Sequence, residues 1–111
     1  MPFSSVIQLH PPHAHLTVSG ELDILSSRSV RREVAGALAD GSTDFTVDAT
    51  DVTFVDAAGL GAFVHLRNAA LARRGQVRFV GASTPFVSVC AMAGLHRAFG
   101  LEPQTPAHTL S

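Results

Sequence analysis

The residues best placed to do chemistry lie in the segment Asp56-Ala57-Ala58-Gly59, which joins an apolar stretch to a predicted helix. Asp56 stands one residue before that helix, where a carboxylate can accept hydrogen bonds from the free backbone N–H groups of the first turn. The same helix end carries partial positive charge and spare donors, so it also suits an anion or a phosphorylated side chain. The segment is therefore either a helix cap alone or a cap that also serves recognition.

Six histidines raise the question of a metal site. His13 and His15 alternate on an extended segment, so both side chains point the same way and could reach one ion. No cysteine or acidic residue follows them at the spacing of a metal ligand set, and the other four histidines are scattered. We expect surface histidines here, with no metal and no cofactor.

The carboxylates and the single cysteine are the remaining candidates for catalysis. Asp23, Asp48, Asp51 and Asp56 stand near predicted strand ends, which resembles the acidic magnesium pocket of response-regulator receivers. Such a pocket also needs a lysine to hold the phosphoryl group, and this sequence contains no lysine. Asp23 and Asp56 are better explained as residues that order loops and cap helices. Cys90 lies on the inward stripe of a predicted helix without an activating base, so we expect no enzyme.

Composition bounds the class of protein. A chain of 111 residues with 46% hydrophobic and 15% charged residues suits a single domain over 1–111, with a core over about 6–100 and a loose tail over 102–111. A net charge of −1 does not suit a nucleic-acid binder, which needs a basic face. Neither a secretion signal nor an apolar run of membrane-spanning length is visible. We therefore expect a cytoplasmic protein without a nucleic-acid partner and without membrane insertion.

Hydrophobic periodicity and turn residues predict the elements that must position Asp56. Two apolar segments on either side of Pro11-Pro12 predict an antiparallel hairpin. After the hairpin we expect a helix capped by Ser26 or Ser27, then a short strand over 44–48 and a lead-in over 52–55. The next helix is expected over about 57–74, with Leu71 on its inward side. A strand over 76–80 and a helix capped by Thr84 complete the order. Strands separated by helices require crossovers. The predicted fold class is α/β, a small mixed, mostly parallel β-sheet with helices packed on it.

Two segments in this order resemble the STAS domain of anti-sigma factor antagonists. The first is Gly20-Glu21-Leu22-Asp23 after the second predicted strand, and the second is the Asp-x-x-Gly-Leu turn from Asp56 to Leu60. The resemblance extends over about residues 6–100, and the combination of both segments with the order of elements is specific. It implies the fold predicted above.

The resemblance also implies a function. Domains of that family bind a serine/threonine kinase that is also an anti-sigma factor, and phosphorylation of a serine immediately after the turn's Asp breaks the complex. The matching position here is Ala57, whose methyl group cannot be phosphorylated. The resemblance thus implies a bacterial transcription regulator that works by protein–protein contacts and has lost the acceptor at this position. Thr53 is a nearby hydroxyl that nothing in the sequence marks as an acceptor.

The expected partner-binding residues are Glu21, Asp23, Asp56, Ala57, Ala58, Gly59, Leu60, Gly61 and Val64. In this interpretation Asp56 fixes the turn, the residues after it permit a close approach, and Leu60 with Val64 offers an apolar anchor. Leu60 could equally face the core. The alternative within the same family is an accessory STAS subunit of an ABC-type phospholipid transport complex, whose partner is the transporter ATPase.

Overall fold

The order of strands and helices is the one that the sequence predicts. The structure, a computed structural model, describes residues 2–101. Its elements are β1 (Ser4–His10), β2 (His13–Leu22), α1 (Ile24–Ala39), β3 (Asp44–Val55), α2 (Ala57–Ala72), β4 (Gln76–Ala82) and α3 (Thr84–Met92). One residue separates each of β2, β3 and β4 from the helix that follows it. These residues are Asp23, Asp56 and Ser83, respectively, and each is the N-cap of its helix.

The sheet has four strands in the order β1-β2-β3-β4. β1 pairs with β2 in antiparallel fashion, whereas β2 with β3 and β3 with β4 are parallel pairs. Parallel neighbours need a crossover, and α1 and α2 supply it. The expected mixed, mostly parallel sheet is therefore confirmed, and the starts of all three helices lie at the edge where β2, β3 and β4 end.

All three helices pack on one face of the sheet. Phe63 of α2, Phe79 of β4 and Phe86 of α3 meet there, with ring centroids 5.4 to 5.8 Å apart. Inward side chains of the two central strands, such as Leu16 and Val47, are fully buried beneath them. Burying this apolar face is the main favourable term for such a two-layer domain, and it holds the helix starts in place.

The opposite face of the sheet is polar. His15 of β2, Thr46 of β3 and Arg78 of β4 are neighbours across it, and Nδ1 of His15 lies 2.6 Å from Oγ1 of Thr46. Within residues 2–101 no helix covers this face. The alternation along β2 between buried and partly exposed residues follows from this one-sided burial.

Four local predictions differ from the structure. β3 is one continuous strand over Asp44–Val55 instead of a short strand with a separate lead-in, because between the two predicted parts Ala49 is paired with β4 and Asp51 with β2. Asp23, not Ser26 or Ser27, is the N-cap of α1, and Ser83, not Thr84, is the N-cap of α3. Leu71 is 48% exposed and does not face the core. The predicted loose tail over 102–111 lies outside the described residues.

Candidate functional site

The candidate site lies at the edge of the sheet where β2 and β3 end. Its central residue is Asp56, the N-cap of α2. The carboxylate of Asp56 accepts a hydrogen bond from the backbone N–H of Gly59 at 2.9 Å. The backbone N–H of Asp56 donates to the carbonyl oxygen of Leu22 at 3.2 Å, which ties the turn to the end of β2. The predicted cap is confirmed, and the start of α2 is held from both sides.

Asp23 is the N-cap of α1, as Asp56 is of α2. Its Oδ1 accepts hydrogen bonds from the backbone N–H groups of Leu25 and Ser26, each at 3.0 Å, and lies 2.8 Å from the Ser26 hydroxyl. The Ser26 hydroxyl also lies 2.6 Å from the carbonyl oxygen of Glu21. These hydrogen bonds, chiefly those from Ser26, lower the pKa of Asp23 below its ordinary value. Asp23 therefore fixes the junction between the end of β2 and the start of α1.

Gly59 does permit a close approach, but the approaching atom belongs to this chain. A Cβ at Gly59 would lie 2.1 Å from the carbonyl oxygen of Leu22, and the residue is buried. Only glycine leaves room for that carbonyl. The expectation that the turn offers this glycine to a partner is thus corrected, since the end of β2 occupies the space.

Leu60 belongs to the core. Its side chain is 4% exposed and packs in the same cluster as Phe63 and Leu66. The proposed apolar anchor made by Leu60 with Val64 is corrected on this point, because the rotation of α2 points Leu60 inward and leaves Val64 half-buried. Ala58, next to the cap, is also half-buried.

A shallow apolar groove of about 390 Å³ runs between α2 and α3, and we call it the α2–α3 groove. Ala57 is exposed at its end, and Met92 is 86% exposed along its rim. The groove is lined by Ala57, Leu60, Gly61, Val64, Val89, Met92, Ala93 and Leu95. None of the charged side chains of the described residues lines it. The hydrophobic effect would favour covering this surface.

The half of the groove contributed by α3 and the residues after it was not predicted from the sequence. Neither Val89 nor Met92 is among the expected partner-binding residues. The signal that could have found this half is the lack of any charged residue between Ser83 and Leu95. A helix without charged residues must either be buried all round or keep an apolar side exposed.

Three further apolar side chains are exposed at the same edge of the sheet. Ile24 and Leu25 follow the Asp23 cap, and Phe54 of β3 is paired with Glu21 of β2. Leu25 is the most exposed of them, at 67%. Sequence reasoning missed these residues, although apolar side chains directly beside two capping aspartates were visible. They extend the apolar surface around the turn.

The nearby hydroxyl groups differ in their availability. Thr53 is exposed, whereas Ser26 is buried and Thr50 donates its hydroxyl hydrogen bond to Asp48 at 2.6 Å. That bond is the first cause of the lowered pKa of Asp48. The carboxylate of Asp48 is thus held by its own strand.

The other candidate chemical groups are not gathered into a site. Among residues 2–101, no three histidine, cysteine or acidic side chains lie close enough together to hold a metal ion. Cys90 is fully buried, and burial raises the pKa of its thiol to about 11. None of the helices over the same residues combines the length and apolar content needed to cross a membrane.

Comparison with known proteins finds a matching family model and solved structures of similar fold. A family model described as "Mlab, STAS domain" matches residues 5–103. No curated protein sequence matches the chain. An anti-sigma factor antagonist from Mycobacterium paratuberculosis is 20% identical, with a TM-score of 0.77 over 98% of this chain and 92% of that chain.

The anti-sigma factor antagonist SpoIIAA gives a similar result in two states. Its unphosphorylated form is 17% identical, with a TM-score of 0.77 over 96% of this chain and 93% of that chain. The phosphorylated form of SpoIIAA from Bacillus is 16% identical, with a TM-score of 0.72 over 96% of each chain. At these identities the likeness establishes a shared fold.

Proposed function

The chain belongs to the STAS domain family, and from that premise we propose that it is a non-catalytic, protein-binding regulator of the anti-sigma factor antagonist type. Its proposed partner is an anti-sigma factor of the serine/threonine kinase type. The observation that carries the proposal is the position of Ala57, which is exposed as the first residue of α2 and lines the α2–α3 groove. The resemblance to antagonists puts their phosphoacceptor serine at this same position.

The physical case for docking rests on what surrounds Ala57. The groove beside it is apolar, and Met92 on its rim is a flexible, polarisable side chain that adapts to different partner surfaces. Asp56 and its hydrogen bonds fix the backbone there, so little ordering entropy is lost when a partner binds. Val64, half-buried in the groove, supplies the proposed anchor together with Met92.

Ala57 also determines the proposed mode of control. A methyl group offers no oxygen to a kinase, and sterically it stands nearest to an unmodified serine. The docking surface therefore stays competent to bind, and regulation falls to the abundance of this protein or of its partner. Thr53 is an exposed hydroxyl in this region, and it stands four residues before the position in question.

The test is direct binding between the purified protein and the kinase-type anti-sigma factor encoded in the same genome, measured by titration calorimetry. Val64→Glu places a charge in the groove and should weaken binding at least about tenfold. Leu71→Glu is the matched control, because Leu71 lies on the same helix, is exposed, and does not line the groove. Equal loss in both variants, or no binding by the wild type, would contradict the proposal.

The second candidate is an accessory STAS subunit of an ABC-type phospholipid transport complex. The observation that favours it is again Ala57, because such a subunit supports its ATPase without phosphorylation. The same calorimetric titration against the transporter ATPase, with the same two variants, separates the two functions. Binding of the ATPase and not of the anti-sigma factor would select the transport role.

A further inference from the structure

The charges of this domain are divided between its two layers. The three helices carry four arginines and one glutamate, whereas the four strands carry four carboxylates and one arginine. Three of the helical arginines, Arg28, Arg31 and Arg32, are exposed on α1. Residues three and four apart are neighbours on a helix surface, so these guanidinium groups form one basic stripe.

The basic stripe meets the α2–α3 groove at Gly61. Nη2 of Arg31 lies 3.5 Å from the position that a Cβ at Gly61 would occupy. Gly61 itself lines the groove. A guanidinium from α1 therefore lies beside Gly61 of α2, so a positive charge stands at the edge of an uncharged, apolar surface.

The stripe has little opposite charge on the helices of the domain. Glu33, the one acidic residue of the three helices, accepts a hydrogen bond from the hydroxyl of Ser5 on β1. Like charges at a separation of three or four residues repel one another, and a partner's carboxylates would relieve that repulsion on binding.

We propose that the α2–α3 groove and the basic stripe together bind an acidic amphipathic helix of the partner. This inference rests on the proposed function and states the chemistry of its partner. Apolar side chains of the helix lie in the groove, and carboxylates on its flank face Arg28, Arg31 and Arg32. The groove follows α2 from Ala57 to Val64, about 10 Å of helix length, which matches two turns of a bound helix.

The experiment uses two synthetic peptides of about 18 residues, long enough for a marginal helix. Both carry leucines at three- and four-residue spacing on one face. One has glutamates on the flanks, and the other has lysines at the same positions. Fluorescence anisotropy with the full chain measures affinity as salt rises from about 0.05 to about 0.5 M.

The glutamate peptide should bind at least about tenfold more tightly than the lysine peptide, and salt should weaken its binding. Arg31→Glu should weaken it about tenfold, whereas Arg78→Glu should change it by less than about twofold. Arg78 is the matched control because it is exposed on the opposite face of the sheet and its substitution changes the net charge equally.

Equal affinity for both peptides, no binding of either, or equal effects of the two arginine substitutions would overturn the inference. A parallel titration with the kinase-type anti-sigma factor separates this failure from failure of the proposed function. If that protein binds wild type and Arg31→Glu equally, the function stands and the acidic-helix inference is wrong. If the glutamate peptide binds in an Arg31-dependent way and the anti-sigma factor does not bind, the inference stands and the proposed function is wrong.

Discussion

The carbonyl oxygen of Leu22 lies where a side chain on Gly59 would have to go, 2.1 Å from the position of its Cβ. The same oxygen accepts the hydrogen bond from the backbone N–H of Asp56. The segments Gly20-Glu21-Leu22-Asp23 and Asp56 to Leu60 are therefore in contact with each other. Their joint presence in the sequence has a physical reason, because the first turn of α2 packs directly against the end of β2 and is hydrogen-bonded to it.

Gly59→Ala should destabilise the protein by roughly 3 kcal/mol, because backbone and not a flexible side chain blocks the added methyl group. The measurement is the free energy of unfolding from urea denaturation. Gly36→Ala is the matched control: Gly36 lies inside α1 with nothing within 4 Å of the added atom, so alanine should stabilise by about 0.5–1 kcal/mol. Two variants of equal stability would show that the contact with Leu22 is not tight.

The contrast between these glycines illustrates what could be predicted from the sequence. The order of elements and the Asp56 cap depend on residues close together in the chain, and both were predicted. The neighbour of Gly59 and the burial of Leu60 depend on how α2 is rotated against the sheet, which the packing of Phe63 against Phe79 and Phe86 decides. No local pattern contains that information.

The same reasoning applies to the rest of the site. The α2–α3 groove exists because α3 packs its one fully buried aromatic residue, Phe86, beside Phe63, which leaves Val89 and Met92 along the outer side. The middle of β3 was missed because its residues lack a strong apolar alternation. Pairing of Ala49 with β4 and of Asp51 with β2 keeps this segment extended.

Acid should destabilise the fold through Asp23 and Asp48. Hydrogen bonds lower the pKa of both carboxyl groups below their ordinary value of 3.8. A lowered folded-state pKa means that the stabilising contribution is present above that ordinary value and is lost as the pH falls through the lower one. The urea midpoint of the wild type should therefore fall between about pH 5 and about pH 2.

Asp23→Asn tests the assignment of this loss. Asparagine keeps an acceptor oxygen for the cap but does not titrate, so the variant should lose less stability over the same pH range. The double variant with Asp48→Asn should have a flatter profile still. Parallel profiles for wild type and variants would assign the acid sensitivity to other carboxylates.

Cys90 should be inert in the folded protein. Burial raises the pKa of its thiol from 9.0 to about 11, which makes the reactive thiolate about 100-fold scarcer at any pH below that range. Labelling by a disulfide reagent at about pH 8 should be slower than in the unfolded chain by at least this factor. Labelling of the native protein at the unfolded rate would show that α3 opens readily.

If the partner is the proposed kinase-type anti-sigma factor, Ala57→Ser should provide an acceptor for its kinase activity. The new hydroxyl would stand exposed on the first turn of α2, beside the spare backbone donors that favour a phosphate at a helix start. Incubation with the kinase-type anti-sigma factor and ATP should phosphorylate this variant and not the wild type, as measured by intact mass.

Ala57→Asp introduces the charge without the hydroxyl, so it should bind more weakly than wild type and remain unmodified. Thr53→Ala is the control for an exposed hydroxyl four residues before Ala57 and should change neither result. Phosphorylation of the wild-type chain in this turn, or unchanged binding by Ala57→Asp, would contradict the view that Ala57 holds the docking surface in its binding-competent state.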